Sequence, residues 1–250
     1  MYTDEELEKV EKEENLFTEE ALVLMLASIS STKAELEKEL RLFYQKYGKD
    51  GVVTYSEARK WISDKNHRRR LTWLLVYIGT IFSDLFSNLR PDFDSLVSKV
   101  IKKEHDFFGV SLETPKLNWG VDNLTWLDRL ADDVTAWQAY VANDIKRSML
   151  AKKTIDDILE SLDKRFMTME NVIRSLAITE TTAVGSIARQ QAFKELGITK
   201  YQYFAREDER TCEYCGSLHG LVFPISAYEV GVTASPIHPR CRCWEVPIRE

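Results

Sequence analysis

The chain has 250 residues, 44% hydrophobic and 30% charged, which is the composition of a soluble globular protein of one large or two small domains and excludes a disordered one. A formal net charge of −6 disfavours non-specific nucleic-acid binding over the whole surface. The most apolar stretch, residues 71–82, is too short to span a bilayer, and the acidic first fifteen residues lack the apolar core of a secretory signal, so no membrane role is expected.

Residues 1–14 hold seven acidic and two basic side chains and read as a solvated, fraying helix or tail. Thr18 is expected to start the first clear helix. Leu36, Leu40, Phe43, Tyr44 and Tyr47 recur on one face of it, and Gly48 and Gly51 end it. Thr54 and Glu57 form a capping box ahead of a short helix carrying Ala58, Trp61 and Ile62. The one dense basic run, His67-Arg68-Arg69-Arg70, reads as a solvated helix start, with contact to phosphates or an acidic partner as the sharper alternative. A helix over 70–88 follows, which Arg90-Pro91 interrupts or stops. Leu96, Val97, Val100 and Ile101 mark another helix, and 109–120 reads as a loop.

Helix returns near Leu124, with one stripe of Trp137, Tyr140, Val141, Ile145 and Met149. A second stripe is Ile155, Ile158, Leu159, Leu162 and Phe166. A third is Ile173, Leu176, Val184 and Ile187, closed by Leu196-Gly197. Then the pattern changes: 200–206 alternates as a strand, and 221–224 and 244–247 are shorter strand candidates. The expected fold is mainly α with a small α+β module at the carboxy-terminal end. An elongated helical region over 1–152 precedes a compact Cys/His-stapled domain over 153–250.

All four cysteines lie in the last forty residues. Cys212 and Cys215 form a CxxC pair followed by Gly216, which is expected at positive φ. His238, Cys241 and Cys243 follow in the string His-Pro-Arg-Cys-Arg-Cys. Two pairs of soft ligands joined by a loop are the sequence form of a tetrahedral zinc site, and the absent signal favours thiols over disulfides. Five ligands compete for four places, and either His238 or Cys243 completes the set. With four protein ligands at hand no position need be left to water, so the metal is read as structural. No zinc-deaminase pattern is present, and no basic helix follows as in a DNA-reading finger.

Glu180 falls on the apolar stripe of its helix, where a carboxylate is costly unless paired; Arg206 and Arg210 are the expected partners. Asp208 and Thr211, ahead of Cys212, read as turn caps. The competing reading is a metal-dependent, nuclease-like enzyme using Glu180, Asp208 and His238. No general acid–base pair stands out to support it, so no enzymatic activity is expected.

Order and spacing of several segments resemble one family. These are Ile178-Thr179-Glu180-Thr181, Ala188-Arg189, Gly197, Asp208-Glu209-Arg210-Thr211-Cys212-Glu213-Tyr214-Cys215, Leu218-His219-Gly220-Leu221-Val222-Phe223 and Pro236-Ile237-His238-Pro239-Arg240-Cys241-Arg242-Cys243. Together they resemble the phage Mu protein F-like minor head protein domain, over about 75 residues. The resemblance implies a minor capsid protein of a tailed bacteriophage, contributing to head assembly and DNA packaging or ejection. The implied partners are the portal and capsid or scaffold proteins, with phage DNA as a further candidate. The implied location is the head interior of the virion, and the host cytoplasm during assembly.

Overall fold

A computed structural model of the chain describes residues 4–53, 65–120, 122–206 and 208–248. The protein is mainly α, with a small three-stranded sheet near its carboxy-terminal end, as the sequence pattern predicts. Four long helices come first: α1 (Asp4–Tyr47), α2 (Lys65–Phe108), α3 (Trp126–Leu150) and α4 (Ile155–Glu195). They are followed by β1 (Lys200–Phe204), α5 (Glu213–Leu218), β2 (Val222–Pro224) and β3 (Trp244–Ile248). By contact the chain divides into two compact units, each assembled from separate stretches. The expected boundary at 152/153 lies in the short connection between α3 and α4.

One unit comprises Leu24–Arg90 and Leu130–Val172. Its core is built from apolar stripes at helical spacing. Met25, Ile29, Leu36 and Leu40 come from α1, and Leu74, Ile78, Phe82 and Leu85 from α2. Val141, Ile145 and Met149 come from α3, and Ile158, Leu162 and Phe166 from α4; all are buried. Tyr140, placed on the α3 stripe by its spacing, is instead exposed. Thr154 and Asp157 cap α4 reciprocally: Asp157 Oδ2 accepts from the Thr154 N–H, and Thr154 Oγ1 accepts from the Asp157 N–H. The capping box at Thr54 and its short helix lie outside the described residues. His67-Arg68-Arg69-Arg70 falls in the first turns of α2.

Two helix boundaries differ from the sequence reading. Thr18 lies inside α1, not at its start, with its hydroxyl donating to the Glu14 carbonyl (2.9 Å) and its oxygen 3.2 Å from Thr181 Oγ1. The helix also runs straight through Pro91. A helical proline costs about 3 kcal/mol. Leu85, Leu89, Phe93 and Leu96 continue one buried face across it, and burying each such side chain contributes roughly 1.5–3 kcal/mol. The stripe therefore outweighs the local break.

The other unit comprises Met1–Val23, Pro91–Arg129 and Ile173–Glu250. Its sheet is antiparallel with order β2-β1-β3 and pairs Tyr201 with Phe223, and Tyr203 with Glu245. Alternation along β1 buries Tyr201 and Tyr203 on one face. Tyr201 packs with Phe108, Phe193, Ile198 and Tyr228. Tyr203 packs with Ala205, Cys215, Cys241 and Cys243.

A buried charge network crosses this unit. Arg189 on α4 is 1% exposed and bonds Glu104 of α2 (2.9 Å) and Glu245 of β3 (3.2 Å). Glu245 also accepts from the Ser235 N–H (2.6 Å) and the Tyr228 hydroxyl (3.0 Å). Lys103 meets Glu14 at 3.1 Å, and both Lys103 and Arg189 lie over the Trp244 ring. Gly185 makes the room: a Cβ there would stand 3.0 Å from Glu14 Oε1 and 3.4 Å from Arg189 Nη1.

Candidate metal centre

Two knuckles supply the candidate ligands. In the first, Cys212 caps α5 and its sulfur accepts from the Cys215 N–H (3.3 Å), so the turn points an amide at the thiolate position. Gly216 does not take positive φ; it is the fourth residue of α5, and its N–H donates to the Cys212 carbonyl. The left-handed turn falls at Gly220 instead (φ 78°), because the helix closes after both cysteines are placed. In the second knuckle the Cys241 N–H donates to the His238 carbonyl (3.1 Å). Pro239 and Arg240 fill the centre of that turn, with Arg240 at φ 62°.

Helix α4 holds the second knuckle. Thr179 Oγ1 accepts from the Arg240 N–H (2.9 Å), and Thr182 Oγ1 donates to the Cys241 carbonyl (2.9 Å). Asp208 holds the two knuckles to each other: Arg242, between Cys241 and Cys243, bonds both of its carboxylate oxygens at 2.8 Å. That fork, then the Arg210 N–H and Arg206, keep the Asp208 carboxyl well below the usual carboxylate range. The expected turn is also present, with the Arg210 N–H on Asp208 Oδ1 and the Asp208 N–H on Thr211 Oγ1.

The five candidate ligands fall into two sets that share Cys215. Cys212, Cys215 and His238 form one set, and Cys215, Cys241 and Cys243 another, with the ligand atoms of each set within 4.8 Å of one another. The Cys215 and Cys241 sulfurs are 3.8 Å apart. A tetrahedron of bonds near 2.3 Å has edges of about 3.8 Å, so this pair already has zinc-site spacing. His238 Nδ1 lies 2.8 Å from the Pro239 carbonyl; a proton there leaves Nε2 free to ligate. Cys215, Cys241 and Cys243 are buried, and Cys212 is half-buried.

The electrostatics suit a cation. A hydrogen bond from Cys243, with backbone N–H groups of Cys243 and Ile237, lowers the Cys241 thiol to about 5. Its neighbours move the other way: burial pushes Cys215 up, and the bond to Cys241 with burial pushes Cys243 up. One buried thiolate therefore forms readily and discourages the next. A divalent metal removes that obstacle, because coordination replaces the remaining protons. The donor set thus fits a thiophilic metal.

Glu180 is buried as expected, at 1% exposure, but its partners are not Arg206 or Arg210. Arg129 Nη1 donates to it at 3.1 Å and Trp119 Nε1 at 2.9 Å. Arg206 turns to Asp208 instead. The reason lies in the 109–120 loop and the capping box of Thr125 and Asp128, which start α3 beside α4 and bring both donors in. Burial raises the Glu180 carboxyl, opposed by Trp119 and Arg129. Glu180→Gln should cost about 1–3 kcal/mol in urea unfolding, less than stranding a charge, because Arg129 keeps Asp122 and two carbonyls. Unchanged stability would mean that the Glu180–Arg129 bond contributes nothing. Glu180, Asp208 and His238 therefore have separate partners: Arg129 with Trp119, Arg242, and the cysteine cluster.

Fold and site together define a helical protein with a small α+β module in which two cysteine knuckles converge. Residues 139–246 match the family model described as Phage Mu protein F like protein. The matched family is one of phage head-related proteins. Neither the curated proteins nor the solved structures contain a match. Among the described residues, no helix is long and apolar enough to cross a membrane.

Proposed function

We propose that the chain is a minor capsid protein of a tailed bacteriophage that acts by assembly on the portal or inner capsid surface and turns over no substrate. One observation carries this reading: the family match spans the second half of α3, all of α4 and both knuckles. The cysteine cluster then serves as a structural zinc site. Zinc would be held by Cys212, Cys215, Cys241 and one of His238 or Cys243, and would supply cross-linking. The protein would enter the head interior from the host cytoplasm, meeting portal, capsid or scaffold proteins. Contact with phage DNA would come from Arg68–Arg70 and weaken steeply with salt.

The functional test is capture of the phage portal protein, run beside a nuclease assay with zinc, magnesium or manganese. Portal capture without cleavage supports assembly. Cleavage lost in Glu180→Gln or His238→Ala with the fold intact would replace it with the enzyme reading. Metal analysis of protein purified without chelator should give one zinc per chain; a value near zero with four titratable thiols would end the zinc reading.

A further inference from the structure

We propose that the Tyr203 hydroxyl is a positioning group of the metal centre, donating a hydrogen bond to the metal-bound sulfur of Cys215. The inference rests on the metal reading above and adds a residue to it. Tyr203 is fully buried on β1, where its pairing with Glu245 of β3 fixes the direction of its side chain. Its oxygen lies 3.5 Å from Cys215 Sγ and 3.9 Å from Cys241 Sγ, and Cys243 is a third sulfur neighbour.

The surroundings make this placement informative. Ala205, Leu218, Phe223 and Ile237 complete the cluster around the ring and the sulfurs, and offer no side-chain acceptor. A phenylalanine would fill the same space without bringing a hydroxyl into it. A neutral thiol is a weak acceptor, so without metal the hydroxyl's 3.5 Å bond to Cys215, whose thiol burial keeps protonated, is weak. A metal-bound thiolate is charged and accepts strongly. The hydroxyl is therefore matched to the metal-loaded state.

Two of the other sulfurs are served by the backbone. Cys212 accepts from the Cys215 N–H, and Cys241 from the N–H groups of Cys243 and Ile237. Several thiolates around one divalent ion carry excess negative charge, and donors to sulfur disperse it. Tyr203 extends that set of donors to Cys215 with a side chain.

The test is Tyr203→Phe in the full chain. Zinc affinity, measured by competition with a chromophoric chelator, should fall about 10–100-fold, as for other groups that orient a metal ligand. In the cobalt-loaded variant the thiolate-to-cobalt charge-transfer band should keep its intensity, because no ligand is lost, but shift in energy. Equal affinity with an unshifted band would show that Tyr203 only packs, and would overturn the proposal. A measurement on the wild type covers a variant that fails to fold. Zinc loading should slow exchange of the Tyr203 hydroxyl proton and move its resonance downfield; an unaltered hydroxyl would also overturn the proposal. If the wild type binds neither zinc nor cobalt, it is the metal reading itself that fails.

Discussion

Cys215→Ser, or removal of the metal by chelator, is expected to unfold the sheet and both knuckles while the helices of the Leu24–Arg90 and Leu130–Val172 unit stay formed. The sheet has strands of only five, three and five residues. Sheets this short depend on what packs against them. Here one of the two clusters packed on β1 consists largely of the ligand cysteines. In small zinc modules the metal's binding free energy, on the order of 10 kcal/mol, is folding free energy. Losing it removes more than such a sheet can supply. The helical unit buries its own stripes from four helices and shares no ligand. Circular dichroism should keep most of the helical signal, while the fluorescence of Trp244, which precedes β3's Glu245 and follows Cys243, should change. Collapse of the helical signal would show that the helical unit cannot stand without the sheet-bearing one.

What the sequence discloses here is mostly local. Cys212 with Cys215, and His238 with Cys241, are three residues apart, and each turn forms as that spacing suggests. The alternation of 200–206 survives as β1 because Tyr201 and Tyr203 both face the core. Pairings across the fold were not legible. Arg189 meets Glu104 across 85 positions, and Thr182 meets Cys241 across 59. No periodicity encodes which charge waits opposite. Glu180 illustrates the limit: its cost on an apolar face implied a cation, but of the two expected, Arg206 pairs with Asp208 and Arg210 only lends Asp208 its N–H. Local rules also failed where tertiary burial outweighed them, at Thr18 and Pro91.

Arg189→Met should destabilise the sheet-bearing unit by about 3–5 kcal/mol, because it removes the cation that bonds both fully buried groups, the Glu104 carboxyl and the Glu245 carboxylate, and leaves the latter stranded. The loss should depend on pH. Among the described residues, the ion pairs of Glu14, Glu104 and Glu245 are to two cations, Arg189 and Lys103, so the network is neutral when it keeps one proton. Glu104 is the site for it: Oε2 has no hydrogen-bond partner among the described residues, and Glu14 adjoins the same carboxyl. Burial raises its pKa from 4.5 to about 8, opposed by Arg189 and Lys103 and helped by Glu14. Between those values the folded state holds a proton that the unfolded chain has released. Stability is therefore full below about 4.5, falls as pH rises through the window, and levels off once the folded carboxyl also ionises. Removing Arg189 takes away the larger of the two opposing cations and raises the Glu104 pKa further, so the variant's deficit should stay level below about pH 8 and widen above it. Urea unfolding of wild type and variant on either side of that value reads both effects. A deficit below about 1 kcal/mol at every pH would mean that the three carboxylates do not share one buried charge balance.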